Sequence, residues 1–217
     1  MELYLQPSVR LASLGDDLVI LNLTDNSYYC LPGQGPVVRV GPTGGLLIND
    51  PELAAAMGSW LTRTQPTPPI ELPASPPRTS AWRTAEEQVN AADLAMFGLA
   101  YLESASRYYC APFSRLVAHA AQQTSSLPPQ TPMAASVQHL RLARVHDQLL
   151  PWAPFQGECF FRSFMLLKFL RLAGLGASWV FGVKTWPFQA HCWIQAGETV
   201  LDDACERVAQ FTPIMSV

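Results

Sequence analysis

The stretch QGECFFRSFMLLKFL, residues 156–170, sets one cysteine, Cys159, at the head of an almost wholly apolar run. Phe160, Phe161, Phe164, Leu166, Leu167, Phe169 and Leu170 leave little polar face, the pattern of a helix buried nearly all round. The run is predicted helical from Cys159 to about Ala173, with Gly174 as its stop. A thiol in the first turn of such a helix feels the positive end of the helix dipole and nearby unpaired amides, which favour thiolate over thiol. Free cysteine is also among the most buried residue types, so the run alone reads first as core.

The segment downstream changes that reading. ASWVFGV, AHCWIQ and TVLDD have the composition of short strands, giving helices followed by a small sheet, an α+β order. A thiolate nucleophile needs a histidine to exchange protons, and the histidine needs a third group to fix its tautomer. Strand alternation puts His191 and Trp193 on one face and Cys192 and Ile194 on the other, which takes Cys192 away from a site built on His191. An odd hairpin loop centred on Gly197 sets His191 opposite Asp203, and a two-residue loop of Gly197 and Glu198 gives that face to Asp202 instead. Both carboxylates stay open at this level.

Upstream, QPTPPIELPASPPRTS, residues 65–80, carries proline at 66, 68, 69, 73, 76 and 77, which removes backbone donors and holds the chain extended. It reads as an interdomain linker over 65–80 between residues 1–64 and 81–217, or as a proline-rich surface loop inside one domain. In the first part SVRLAS, DLVILNL and SYYCL read as an antiparallel meander, with TDN as the second turn. In DPELAAAMGSWL, Asp50 is a helix N-cap and Pro51 a first helical residue, so the order is strands and then short helices. After the linker, Trp82 to Arg107 and Met133 to Leu150 have the spacing of amphipathic helices, with SSLPPQTP as a loop between.

The 217 residues are 49% hydrophobic and 14% charged with a net charge of -3, enough for a real core and without the basic stripe that grips a phosphate backbone. Nucleic acid is set aside as a partner. The N-terminus MELYLQPSVRLASLGDDLVI lacks the basic start and apolar stretch of a signal peptide, and Arg162, Lys168 and Arg171 break the longest apolar run before membrane-spanning length. A cytosolic protein with no membrane partner is expected. Five cysteines without a C-x-x-C pair fit reduced thiols rather than a disulfide framework or zinc site. His139 and His146 share a helix face and with His119 could suggest metal, but no ligand set is completed, so no metal or cofactor is expected. Tyr101, Tyr108, Tyr109 and Phe113 read as packing.

C-x-x-R-S from Cys159, V-F-G-V from Val180, P-F-x-A-H-x-W from Pro187 and F-T-P-I from Phe211 together resemble the transglutaminase-like cysteine peptidases of lasso-peptide biosynthesis, the B proteins that remove the leader from the precursor. The resemblance runs from about Gly157 to the end and implies a papain/transglutaminase-like fold. It implies Cys159 as nucleophile, His191 as general base and acid and Asp203 as the residue orienting His191, which selects the odd-loop register. Gln156 is a candidate side-chain oxyanion donor. The front of the chain is similar to the RiPP recognition element, a winged-helix-like domain of three strands and three helices that captures leader peptides as an added strand. That similarity maps leader binding to Ser27 to Leu31 and to Glu52 to Leu61, with Tyr28, Tyr29 and Leu31 as either leader contacts or hairpin core. The implied partners are a precursor-peptide leader and an ATP-dependent lasso cyclase. A transglutaminase-type acyl transferase would use the same triad, and a non-catalytic leader-binding scaffold would need Cys159 to be structural.

Overall fold

A computed structural model describes residues 3–41, 44–65, 76–81, 86–125 and 135–217. In chain order the first half gives β1 (Tyr4–Leu5), β2 (Val9–Leu14), β3 (Asp17–Asn22), β4 (Ser27–Leu31), β5 (Val38–Val40), β6 (Leu46–Ile48), α1 (Pro51–Ala56) and β7 (Leu61–Thr62). The second gives β8 (Thr79–Ser80), α2 (Ala91–Cys110), α3 (Phe113–Ser125), α4 (Val137–Leu149), α5 (Cys159–Leu172), β9 (Ser178–Lys184), β10 (Gln189–Ala196), β11 (Thr199–Val200), α6 (Cys205–Val208) and β12 (Thr212–Ser216). The expected linker residues 66–75, the helical start at Trp82 and Met133 lie outside the described residues.

The meander is present as β2-β3-β4, antiparallel throughout. Asn26 closes its second turn at φ 56, a left-handed conformation that asparagine tolerates. The central strand β3 is buried on both faces: Leu18 and Ile20 pack toward Val38, Leu46, Leu53 and Met57, while Val19 and Leu21 join the large core around α5. Asp50 caps α1 by accepting from the amides of Glu52 and Leu53. The region after the meander departs from the three-helix arrangement that the resemblance implies. Its described residues hold one six-residue α-helix, preceded by a β5-β6 hairpin. The β-branched run Val37-Val38-Arg39-Val40 prefers a pleated strand to a helix.

In the second half the helix α5 lies against a five-stranded sheet of order β12-β9-β10-β11-β8. Asn90 and Asp93 form a capping box that starts α2 well after Trp82, and Ser136 caps α4 through His139. Helix α3 was not anticipated, although Leu116, Val117 and Ala120 mark its buried face. Lys168, 2% exposed on α5, donates to Glu103 on α2 at 2.9 Å and to Gln123 on α3, so this one cation ties three helices together. Helix α5 ends as expected, with Gly174 at φ 74 and its amide on the Arg171 carbonyl.

Two boundaries differ from the sequence reading. Thr79 and Ser80, read as the end of the linker, form the edge strand β8 paired parallel to β11. The large core is also shared, since Ala12, Val19, Leu21 and Leu23 from the meander pack in one cluster with Phe164, Leu167, Trp179 and Ile194. Trp186 in the β9-β10 loop adds a polar tie, donating its indole N–H to Asp17 at 2.7 Å. Among the described residues no helix is long and apolar enough to cross a membrane.

Candidate active site

The turn before α5 aims its first residue. Gly157 sits at φ 62, and a Cβ there would meet the Phe161 Cβ at 2.6 Å and the Phe155 ring at 3.0 Å, so only glycine fits. Glu158 then takes the N-cap position without a side-chain cap, leaving the first amides of α5 uncapped by any side chain around Cys159. Cys159 is half-buried at the edge of the large core, with Phe160 behind it on the rings of Trp179 and Phe113.

His191 comes from β10, 8% exposed and set opposite Gly182 on β9. A Cβ on Gly182 would lie 2.8 Å from the Trp193 ring, so that glycine makes room for the aromatic stack beside His191. The ring hydrogen-bonds through Nε2 to Asp203 Oδ2 at 2.6 Å. Its other contact is a hydrogen bond with Cys159, for which Nδ1 is the nitrogen left. The structure therefore brings Cys159, His191 and Asp203 into one line. Asp203 also accepts from the Ala204 amide at 2.7 Å and faces Arg207 at 3.5 Å.

The electrostatics arise from these contacts. A hydrogen bond from Cys192 is the largest influence on Cys159; together with His191 and the Cys192 amide it outweighs burial and brings the thiol down to about 4. Burial pulls His191 down, but Asp203 and Cys159 overcome it and raise the imidazole to about 9. Burial works against the Asp203 carboxylate too, yet the His191, Ala204 and Arg207 contacts hold it below the ordinary carboxylate range. At neutral pH the arrangement is a thiolate–imidazolium pair backed by a carboxylate.

The hairpin register is not the odd-loop one. Gln195 pairs with Val200 and Ala196 with Thr199, so the loop is Gly197 and Glu198 alone. Positive φ at Gly197 fits the first central position of a type II′ turn. Alternation would then hand His191 to Asp202, but β11 ends at Val200 and the chain bends away before either aspartate. Asp202 is half-buried and points away from His191, accepting from Ser163 Oγ and the Ile194 amide, and desolvation pushes it up to about 6.

Cys192 is where the sequence reading missed. Alternation does place it away from Trp193, in the large core with Ile194. However, α5 lies over that face, and its first residue reaches both His191 and Cys192. Gln156 is exposed and donates its amide to the Pro151 carbonyl at 3.2 Å rather than to the site. The three expected leader contacts divide. Tyr28 packs on the catalytic side, 5.6 Å from the Phe188 ring, and burial with the nearby Cys192 and Cys159 raises its phenol. Tyr29 and Leu31 face the other way, Tyr29 onto Trp60 at 4.9 Å.

The histidines weighed for metal have separate neighbours. His139 caps α4 and reaches the Gly176 carbonyl at 2.9 Å; His146 is buried between Phe97 and Phe169; His119 meets Glu103 and Lys168.

Comparison with known proteins adds a family to this geometry. The model of the transglutaminase-like superfamily matches residues 98–216, more than half of the chain. The microcin J25-processing protein McjB of Escherichia coli is 36% identical over 50 residues, which is 23% of this chain and 24% of that relative. The match thus spans about a quarter of the curated relative's length. No solved structure matches the chain.

Proposed function

The chain belongs to the transglutaminase-like superfamily, and from that premise we propose that it is a cysteine peptidase that removes the leader from a ribosomal lasso-peptide precursor. The observation that carries this reading is the Cys159–His191–Asp203 line, with its thiolate at the open start of α5. The partial likeness to a microcin-processing protein supports a peptide precursor as substrate.

In the proposed reaction the Cys159 thiolate attacks the carbonyl of the last leader residue. The backbone N–H of Cys159, at a helix start, is placed to donate to the oxyanion. His191 gives its proton to the leaving amine, which frees the core N-terminus for macrolactam formation by an ATP-dependent cyclase. His191, now neutral, takes a proton from water, which hydrolyses the thioester. Asp203 keeps the imidazole oriented through both steps.

The front of the chain holds the leader in this reading, with residues 1–64 as the binding part and 81–217 as the cutting part. Strand β4 is the outer strand of the β2-β3-β4 sheet, which suits an added leader strand. Tyr29 and Leu31 would touch leader residues on one face, and Tyr28 those nearest the cut. Such a protein works in the cytosol, where precursor and cyclase are made.

Mass spectrometry of the precursor after incubation with the protein tests the reading. Hydrolysis at one leader–core bond supports it. An amine adduct on the leader carboxyl would make the protein an acyl transferase, and an unchanged precursor would make it a binding scaffold.

A further inference from the structure

The carboxylate left out of the catalytic line stands between the elements that carry it. Helix α5 brings Ser163, 1% exposed, one turn after Cys159 and onto the same face. On β10 the pairing with β11 covers only Gln195 and Ala196. Beyond it the polar groups on that edge of β10 take other partners. The Leu201 amide still reaches the Ile194 carbonyl at 2.8 Å, but the Ile194 N–H donates to Asp202 Oδ1, also at 2.8 Å. Two residues closer to the site, and on the same edge by ladder alternation, the Cys192 carbonyl has Ser163 Oγ at 3.3 Å. Ser163 and Asp202 also meet each other, the hydroxyl donating to Asp202 Oδ2 at 2.5 Å. Asp202 thereby joins the helix of Cys159 to the strand of His191, and its chain neighbour Asp203 is the group bonded to His191 at 2.6 Å.

We propose that Asp202 and Ser163 are positioning residues that set the separation of Cys159 and His191 by clamping the first turns of α5 to β10. The role depends on Cys159 being the nucleophile of the proposed peptidase. The two side chains act through the elements they join. A shift of α5 along β10 would carry the thiolate away from the imidazole, and a displacement of about 1 Å can cost on the order of 10²-fold in rate. The Ser163 hydroxyl has one proton, which goes to the nearer acceptor, the Asp202 carboxylate. Asp202→Asn keeps the arrangement: the amide oxygen accepts from Ile194, the amide nitrogen donates to Ser163 Oγ, and the Ser163 proton turns to the Cys192 carbonyl. Asp202→Ala leaves the Ile194 N–H without its acceptor, and Ser163→Ala leaves the Cys192 carbonyl without its donor. Either one parts the helix from the strand.

The test compares wild type, Asp202→Ala, Asp202→Asn and Ser163→Ala in the full chain. Each is followed by thermal melting, by precursor cleavage, and by the rate of Cys159 alkylation with iodoacetamide at about pH 6, read by peptide mass mapping. At that pH a thiol held at about 4 is ionised, whereas one at the ordinary value of about 8.5 is not, so the rate reads the Cys159–His191 contact. Folded Asp202→Ala should alkylate Cys159 about tenfold more slowly and lose kcat on the order of 10²-fold with KM unchanged. Asp202→Asn should restore both. Alkylation at the wild-type rate in folded Asp202→Ala overturns the proposal, and so does an Asp202→Asn variant as slow as Asp202→Ala. If melting shows Asp202→Ala to be unfolded, Ser163→Ala decides in its place, with the same expected losses. Failure of the wild type to cut the precursor defeats the peptidase reading, and the alkylation rates then decide the clamp by themselves.

Discussion

Asp202 and Asp203 are neighbours with opposite surroundings, and the difference assigns them different work. Asp203 is held as a carboxylate by His191, Ala204 and Arg207, whereas Asp202 is desolvated and sits against Ser163 and the Ile194 amide. The thiolate–imidazolium pair exists between the Cys159 value of about 4 and the His191 value of about 9. Cleavage should therefore follow a bell between those limits, rising as Cys159 loses its proton and falling as His191 loses its own. Asp203→Asn removes a support of the charged imidazole, so the alkaline limb should move to lower pH and kcat should fall on the order of 10²-fold. Asp202→Asn should leave both limbs in place; equal effects of the two substitutions on the pH–rate profile would contradict the assignment. Alternation along TVLDD could not separate these residues, because β11 ends at Val200 and period-2 reasoning stops with it. Cys192 was lost for a related reason: facing is a property of a strand, whereas Cys159 meets that strand from a helix laid over it.

Among the elements, α5 was legible because its apolar run, its entry at Cys159 and its exit at Gly174 all agree. The glycine before it has a packing reason that no pattern displays. Gly157→Ala would force a left-handed φ on alanine and drive its Cβ into Phe161, so it should cost about 1–3 kcal/mol of stability and displace Cys159. Thermal unfolding and the iodoacetamide rate measured together would check both effects, and an unaltered rate would mean that the turn does not aim the thiol. The hairpin β5-β6 was missed because Gly and Pro mark breaks without saying whether strand or helix lies between them. On α4, burial lowers His146 from 6.5 to about 3, so the native state resists a proton that the unfolded chain accepts below 6.5. Stability should therefore fall as pH drops through 6.5, by at most about 1.4 kcal/mol per pH unit. His146→Leu, which removes the titrating ring, should flatten the melting temperature between pH 6.5 and 5; a slope like that of wild type would place the acid sensitivity elsewhere.

Across the whole molecule the proline-rich segment suggested two bodies on a tether, yet β3 is buried on both faces and gives Val19 and Leu21 to the core around α5. Sequence cannot show such sharing, since Phe164, Leu167, Trp179 and Ile194, which cover the second face of the strand, lie more than a hundred residues away. One calorimetric transition is expected for the chain, and Leu21→Ala should lower it as a unit by about 2–5 kcal/mol. Two separable transitions, with only the lower one moved, would show that the halves unfold independently. The shared core also has a functional consequence. Tyr28 on β4 stands on the catalytic side beside Phe188, so a leader paired along β4 would be led toward Cys159 rather than merely kept nearby.

The central claim is that Cys159 cuts a leader from its precursor, and cleavage by wild type beside Cys159→Ala tests it most directly. With the precursor peptide in excess and products read by mass, wild type should release leader and core with one water added, while the alanine variant, folded by circular dichroism, leaves the precursor whole. Cleavage by the alanine variant at the same bond would contradict the account.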